Sequence, residues 1–143
     1  MRRIKEKVAT VAASTTALGS LEEITYKLPD GMPVKISGRT RGLIAEYMFS
    51  GKQYVEGMQM YAADSLQDLV MQVVKSVDAQ HQAALLKSII VSGGTTKTPG
   101  FVDRLCKELQ KMSNMKVECT RGKYDQTEVA ALVGAVKHWV EDP

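Results

Sequence analysis

Residues 89–109 have the sequence IIVSGGTTKTPGFVDRLCKEL, in which a β-branched run meets two glycines and then a proline-started helix. The run from Lys87 to Ser92 predicts a buried strand. Thr98 is the expected N-cap and Pro99 the first residue of the helix. Glycines at the end of a strand let a ligand approach the backbone, and helix-start amides suit polar or anionic groups. The stretch matches neither the Walker nor the G-x-G-x-x-G pattern, so a simple tight turn is the alternative.

The residues after this turn predict a second strand and a final helix. An apolar stripe after Pro99 places Cys106 in the core; it comprises Val102, Leu105, Cys106, Leu109 and Met112. Alternation at Met115, Val117 and Cys119 predicts a strand near 116–120, parallel to the one near 88–92 through a right-handed crossover. Asp125 and Glu128 form a capping-box pattern ahead of a helix that runs to about residue 140. This half is therefore a βαβα unit.

The residues ahead of this unit are predicted to form a helix, a hairpin and further helix. Helical spacing covers residues 2–13, and alternation on both sides of Leu28-Pro29-Asp30-Gly31 predicts a hairpin over 22–37. A short helix is expected over 41–49 and an irregular loop over 50–63. Asp64 is the expected N-cap of an amphipathic helix that breaks near Asp78 and resumes over 79–86. The whole order indicates the α/β class.

Composition excludes several classes of function. The chain has 143 residues, 44% of them hydrophobic, and a formal net charge of +3, which is too mild to indicate a nucleic acid or membrane partner. Charges at residues 5–7 interrupt the apolar core that a secretion signal needs. Cys106 and Cys119 are too few for a disulfide framework and are interpreted as structural thiols. His81 is interpreted as a surface residue, and no nucleophile–base or paired-carboxylate arrangement is visible.

Five stretches, in order, are similar to actins and actin-related proteins. Residues 89–109 resemble the segment that contacts adenosine in that family. The other four are RRIKEKVATVA (2–12), YKLPDGMPVKI (26–36), AEYMF (45–49) and GKYDQTEVAALVGAV (122–136). The resemblance implies a partial actin-like, ribonuclease H-like α/β fold. Residues 1–63 would be a remnant of the small nucleotide-side subdomain, and 64–143 the βαβα portion of the large subdomain beneath it.

The same resemblance implies a set of nucleotide-contacting residues, with ATP or ADP as the ligand. Those on the first helix would contact adenine and ribose, those of the glycine turn would pass beneath the adenosine and wall the base, and a lysine would close the pocket. They are Lys5 and Glu6, then Gly93, Gly94, Thr95, Lys97 and Thr98, and finally Lys123. Typical actins place larger, less polar side chains at the positions of Lys97 and Thr98, so base stacking there should be weaker. Without the resemblance, Lys5, Glu6 and Lys123 would be interpreted as solvated surface charges.

Nothing in the chain resembles the phosphate loops and the acidic residue of actin-like ATPases. We therefore expect that this chain alone does not hydrolyse ATP. We expect Mg²⁺ to bind only when that machinery is present. A two-stranded parallel sheet also predicts pairing of its edge with another copy or an actin-like chain. The first hypothesis is an adenosine-binding portion of a cytoskeletal or assembly-related actin-like protein, cytoplasmic with a nuclear role left open. The alternative is an actin-derived interaction module that has lost nucleotide; the polar 50–53 stretch, where actins carry an apolar plug, favours it.

Overall fold

A computed structural model describes residues 2–50 and 64–122. The elements in chain order are α1 (Arg2–Val8), a 3₁₀ helix (Thr15–Ser20), β1 (Ile24–Lys27), β2 (Pro33–Ile36), α2 (Gly38–Ser50), α3 (Leu66–Lys75), α4 (Ala79–Leu86), β3 (Ile89–Val91), a 3₁₀ helix (Gly94–Lys97), α5 (Phe101–Ser113) and β4 (Cys119–Arg121). The loop expected over 50–63 lies outside the described residues apart from Ser50, which ends α2. Lys123, the 125/128 capping box and the helix to residue 140 lie outside them entirely.

The hairpin predicted over 22–37 is confirmed. β1 and β2 pair antiparallel, with Ile24 opposite Ile36 and Lys27 opposite Pro33. The N–H of Gly31 donates to the carbonyl of Leu28 at 2.9 Å, and Gly31 has φ +86°. Glycine adopts that conformation without steric cost, which explains why the turn forms here.

Two boundaries in the first half differ from the sequence prediction. α1 ends at Val8 instead of continuing to residue 13, because the backbone beyond it bonds to remote segments: the Arg41 Nε donates to the Val8 carbonyl at 2.9 Å, and the Val11 N–H donates to the Pro99 carbonyl at 2.8 Å. The short helix expected over 41–49 is present but begins at Gly38. Ser37 Oγ accepts the Thr40 N–H at 3.2 Å and so caps its first turn.

Two helix starts in the second half also differ. Ser65, not Asp64, caps α3, because Ser65 and Asp68 form a reciprocal capping box. α5 starts at Phe101, so the prediction of Thr98 as N-cap and Pro99 as first residue is wrong. Thr98 is extended after the 3₁₀ turn, and Gly100 redirects the chain with φ +82°. A β-carbon at Gly100 would lie 2.7 Å from the Val11 carbonyl oxygen.

The parallel strand pair predicted for the second half is confirmed. β3 and β4 align with Ile89 opposite Cys119 and Val91 opposite Arg121, and α5 connects them. β4 begins at Cys119, later than the predicted start at residue 116. The interpreted break near Asp78 is also present, between α3 and α4.

One hydrophobic core joins both halves. Its buried members are Val11, Ala45, Phe49, Met71, Val74, Leu86, Phe101, Leu105, Leu109 and Val117. The rings of Phe49 and Phe101 meet with centroids 5.4 Å apart at a 58° angle. Such tilted aromatic contacts are favourable beyond the area they bury. α2 and α5 are therefore packed directly together.

A buried ion pair crosses the same interface. Arg104 of α5 and Glu46 of α2 are 4% and 1% exposed, and they form a two-pronged contact with N–O distances of 3.2 and 3.3 Å. Arg104 also donates to the Ala12 carbonyl at 2.8 Å. Glu46 accepts from Thr15 at 2.6 Å and from Ser50 at 3.0 Å. Each charge is thus met by several hydrogen bonds, which offsets the cost of removing it from water.

The two cysteines lie together between α5 and β4. Both are free and half-buried, and both pack against the core, so Cys106 is at the core margin and not in its interior. The Cys106 thiol donates to the Val117 carbonyl at 3.2 Å. Burial raises the pKa of Cys119 to about 12, and the neighbouring Cys106 thiol makes a smaller contribution in the same direction. These contacts support the interpretation of structural thiols.

We predict that Glu46→Gln lowers the free energy of unfolding by about 2 kcal/mol, because the buried Arg104 would lose one of its two carboxylate partners and keep the other, Glu108 at 2.7 Å. Urea unfolding followed by circular dichroism measures this. Glu118→Gln is the control: Glu118 pairs with Lys116 at the surface at 2.8 Å, and its loss should leave the unfolding curve nearly unchanged. Equal curves for both variants would contradict the role of the buried pair.

We further predict that Cys119 alkylates slowly in the folded protein. At pH 8 its rate with iodoacetamide should be at least about tenfold below that of the guanidinium-unfolded chain, since the thiolate is the nucleophile. Its folded pKa of about 12 lies above the ordinary value of 9.0. The folded state therefore keeps a proton that the unfolded state loses, and stability should fall as pH rises from 9 toward 12. Peptide mass spectrometry follows the alkylation; equal rates would refute the prediction.

Candidate functional site

A cavity of about 640 Å³ opens between α1, α2 and the turn that follows β3. This volume lies in the range of about 300–1,000 Å³ that is typical of small-molecule sites. Its lining residues are Lys5, Glu6, Ala9, Ile44, Ala45, Tyr47, Met48, Gly94, Thr95, Lys97 and Thr98. The cavity therefore combines segments that are far apart in the chain.

The glycine turn forms one wall of the cavity. Gly93 has φ +104°, a conformation that glycine adopts readily, and it caps the 3₁₀ helix that follows β3. The hydroxyl of Thr96 donates to the Gly93 carbonyl at 2.8 Å, which closes the 3₁₀ turn. The Arg121 Nη2 donates to the Thr96 carbonyl at 2.7 Å. The turn is thus held both by its own hydrogen bonds and by the end of β4.

The end of α1 forms the second wall. Lys5 and Glu6 are exposed and line the cavity, while Ala9 just beyond them is 8% exposed. The bond from the Val11 N–H to the Pro99 carbonyl, at 2.8 Å, ties the segment after α1 to the segment after the turn. The two walls are therefore fixed relative to each other by a direct backbone contact.

α2 forms the third wall, and the sequence analysis did not include it in the site. Ile44, Tyr47 and Met48 follow the i, i+3, i+4 spacing, so they share one face of the helix. That spacing is the signal that could have found them. Ala45, which also lines the cavity, and Phe49 are 3% exposed and belong to the core.

The structure brings most of the residues expected at the site to this one cavity. Six of the eight line it: Lys5, Glu6, Gly94, Thr95, Lys97 and Thr98. Gly93 precedes the lining turn and shapes it without being part of the lining. Lys123 lies outside the described residues. Contact of any of these residues with a nucleotide stays a prediction.

The lining of the cavity combines charged, hydroxyl and apolar groups. Two ammonium groups and one carboxylate stand beside two threonines and an apolar wall. Over residues 2–50 and 64–122, no group of three or more His, Cys, Asp or Glu side chains could hold a metal ion. Over the same ranges no helix has the length and apolar character needed to cross a bilayer.

Comparison with known proteins identifies the family. The family model described as Actin matches residues 1–137. Centractin of Saccharomyces cerevisiae is 34% identical over 120 residues, which are 79% of this chain and 30% of that protein. Actin-related protein 2 of the same yeast is 32% identical over 122 residues, covering 78% of this chain and 29% of the relative. Actin-related protein 2 of Arabidopsis thaliana is 32% identical over 117 residues, which are 77% of this chain and 28% of that protein.

The fold is a partial actin-like α/β fold, as the mixed helices and small sheets and the family match together show. The chain belongs to the actin family. It spans less than a third of the length of the curated relatives that it matches. The expected family and fold class are thereby confirmed.

Proposed function

We propose that this chain supplies the adenosine side of an ATP or ADP site in a cytoskeletal or assembly-related actin-like protein. The observation that carries the proposal is the convergence of six expected contact residues on one cavity. Three of the contributing segments were matched to the family independently of each other. Their meeting in space is what a shared ligand would require.

The lining fits an adenine nucleotide chemically. The carboxylate of Glu6 can accept hydrogen bonds from ribose hydroxyls, and the chain of Lys5 can lie along the base edge. A β-carbon built at Gly94 meets nothing within 4 Å, so the space beside this backbone is open to a ligand. The ammonium groups of Lys5 and Lys97 make the cavity favourable for an anionic ligand. ATP, when bound, supplies a transferable phosphoryl group.

Hydrolysis is not part of the proposed function of this chain alone. Phosphoryl transfer needs metal and charge stabilisation around the γ-phosphate, whereas the cavity residues address the adenosine end. Mg²⁺ would act only with the phosphate-binding machinery of an actin-like ATPase. In this proposal residues 1–63 belong to the small nucleotide-side subdomain and 64–143 to the large one. We place the protein with the cytoplasmic cytoskeleton and leave a nuclear role open.

The alternative is an actin-derived interaction module without nucleotide. Lys97 and Thr98 make the turn wall polar, so a base would stack less favourably against this wall. The described residues also hold a sheet of just two parallel strands, and Ile90 on β3 is 73% exposed. An open strand edge can pair with a further strand. We propose that this edge contacts an actin-like chain or a second copy in either case.

We predict that the chain binds ATP and ADP, and that Lys5→Met weakens this binding about tenfold, as expected for the loss of a charge-assisted contact. Isothermal titration calorimetry measures it. Lys7→Met is the matched control, because Lys7 is an exposed lysine of the same helix that does not line the cavity. Absence of heat at millimolar nucleotide would reject the first proposal in favour of the interaction module.

We also predict concentration-dependent self-association through β3. Ile90→Lys should reduce it, because a charge on an edge strand opposes pairing. Val73→Lys is the control, since Val73 is 66% exposed on α3, away from the sheet edge. Sedimentation velocity over a range of protein concentrations tests this. If the protein stays monomeric at every concentration, or if both variants lose association equally, self-association through the β3 edge would be contradicted.

A further inference from the structure

Among the described residues that line the cavity, Tyr47 is the aromatic one. It comes from α2 and lies next along the chain to Glu46, which is 1% exposed, yet 37% of Tyr47 remains exposed. Its helix neighbours Ala45 and Phe49 are 3% exposed. The ring therefore belongs to the cavity wall more than to the core.

Over residues 2–50 and 64–122, the other walls of the cavity offer no aromatic surface. The turn contributes Lys97 and Thr98, and α1 contributes Lys5 and Glu6, all of them polar. A flat heterocycle gains most from a flat apolar face, because stacking buries both surfaces without unsatisfied polar groups. A tyrosine ring provides such a face and has few rotatable bonds to immobilise.

The helix segment that carries Tyr47 is held in place by contacts of its neighbouring residues with α5. Glu46 is anchored to Arg104 by N–O contacts of 3.2 and 3.3 Å, and Arg104 Cζ lies 5.3 Å from the centre of the Phe49 ring. The residues on either side of the Tyr47–Met48 pair are thus held by α5. An anchored helix presents its cavity face in one orientation, which favours stacking over a mobile contact.

We propose that Tyr47 is the stacking platform for the purine base, with Met48 and Ile44 completing an apolar slot. The inference rests on the proposed adenine-nucleotide site and adds its base-recognition residue. The apolar slot is unfavourable for phosphates, because burying their charge there would leave it unpaired. The phosphates would therefore lie outside this slot. The aromatic contact comes from α2, a helix that the sequence resemblance did not assign to the site.

The test is a titration of the chain with ATP, observed through the adenine H2 and H8 proton resonances. Stacking on a ring should shift both resonances upfield in the wild type and in Tyr47→Phe, which keeps the ring. Tyr47→Leu should lose the shift and bind ATP about tenfold more weakly. Adenosine, which has the base but no phosphates, should show the same upfield shifts in the wild type and lose them in Tyr47→Leu. Circular dichroism confirms that each variant is folded.

A second measurement does not depend on any variant. In wild-type protein with the Tyr47 ring resonances assigned, adenine H2 or H8 should show nuclear Overhauser contacts to the Tyr47 ring protons and not to those of the four other tyrosines. ATP binding with no such contact, or with unchanged shifts and affinity in Tyr47→Leu, would overturn the role of Tyr47 and leave the nucleotide proposal standing. Failure of the wild type to bind ATP would overturn both.

Discussion

The ion pair between Arg104 and Glu46 is the contact on which the rest of the arrangement depends. It joins α5 to α2 at less than 5% exposure of either side chain, and Arg104 also holds the Ala12 carbonyl beyond α1. Leaving either charge buried without its partner is costly, so the three segments stay together. The aromatic contact of Phe49 with Phe101 strengthens the same interface.

The cavity is a consequence of this interface. Its α1 and α2 walls belong to the first half of the chain, and its turn wall belongs to the second. The bond between Val11 and Pro99 and the bond between Arg121 and Thr96 then fix the walls locally. A ligand that contacts all three walls would stabilise the folded state in turn, since it would bind only when they are assembled.

Local patterns predicted most elements correctly. Remote contacts account for the errors at α1 and α5, and local caps account for those at α2 and α3. The hairpin around Gly31 and the parallel pairing of β3 with β4 follow from short-range spacing and chain connectivity. α1 ends early and α5 starts late because backbone groups near Val11 and Pro99 bond to each other across the fold. The site residues of α1 and the turn came from the family resemblance. Tyr47 and its neighbours were missed because a lining role depends on which elements face one another.

The sequence by itself determined the family, the α/β class and the residue types available to bind a nucleotide, because these depend on composition, spacing and motif order. Tertiary structure alone decided where α1 ends and α5 begins, which thiols meet and which helix completes the cavity. The physical reason is that burial of Arg104 and Glu46, like the walls of the cavity, arises from residues distant in sequence. No local pattern records the energy of such contacts.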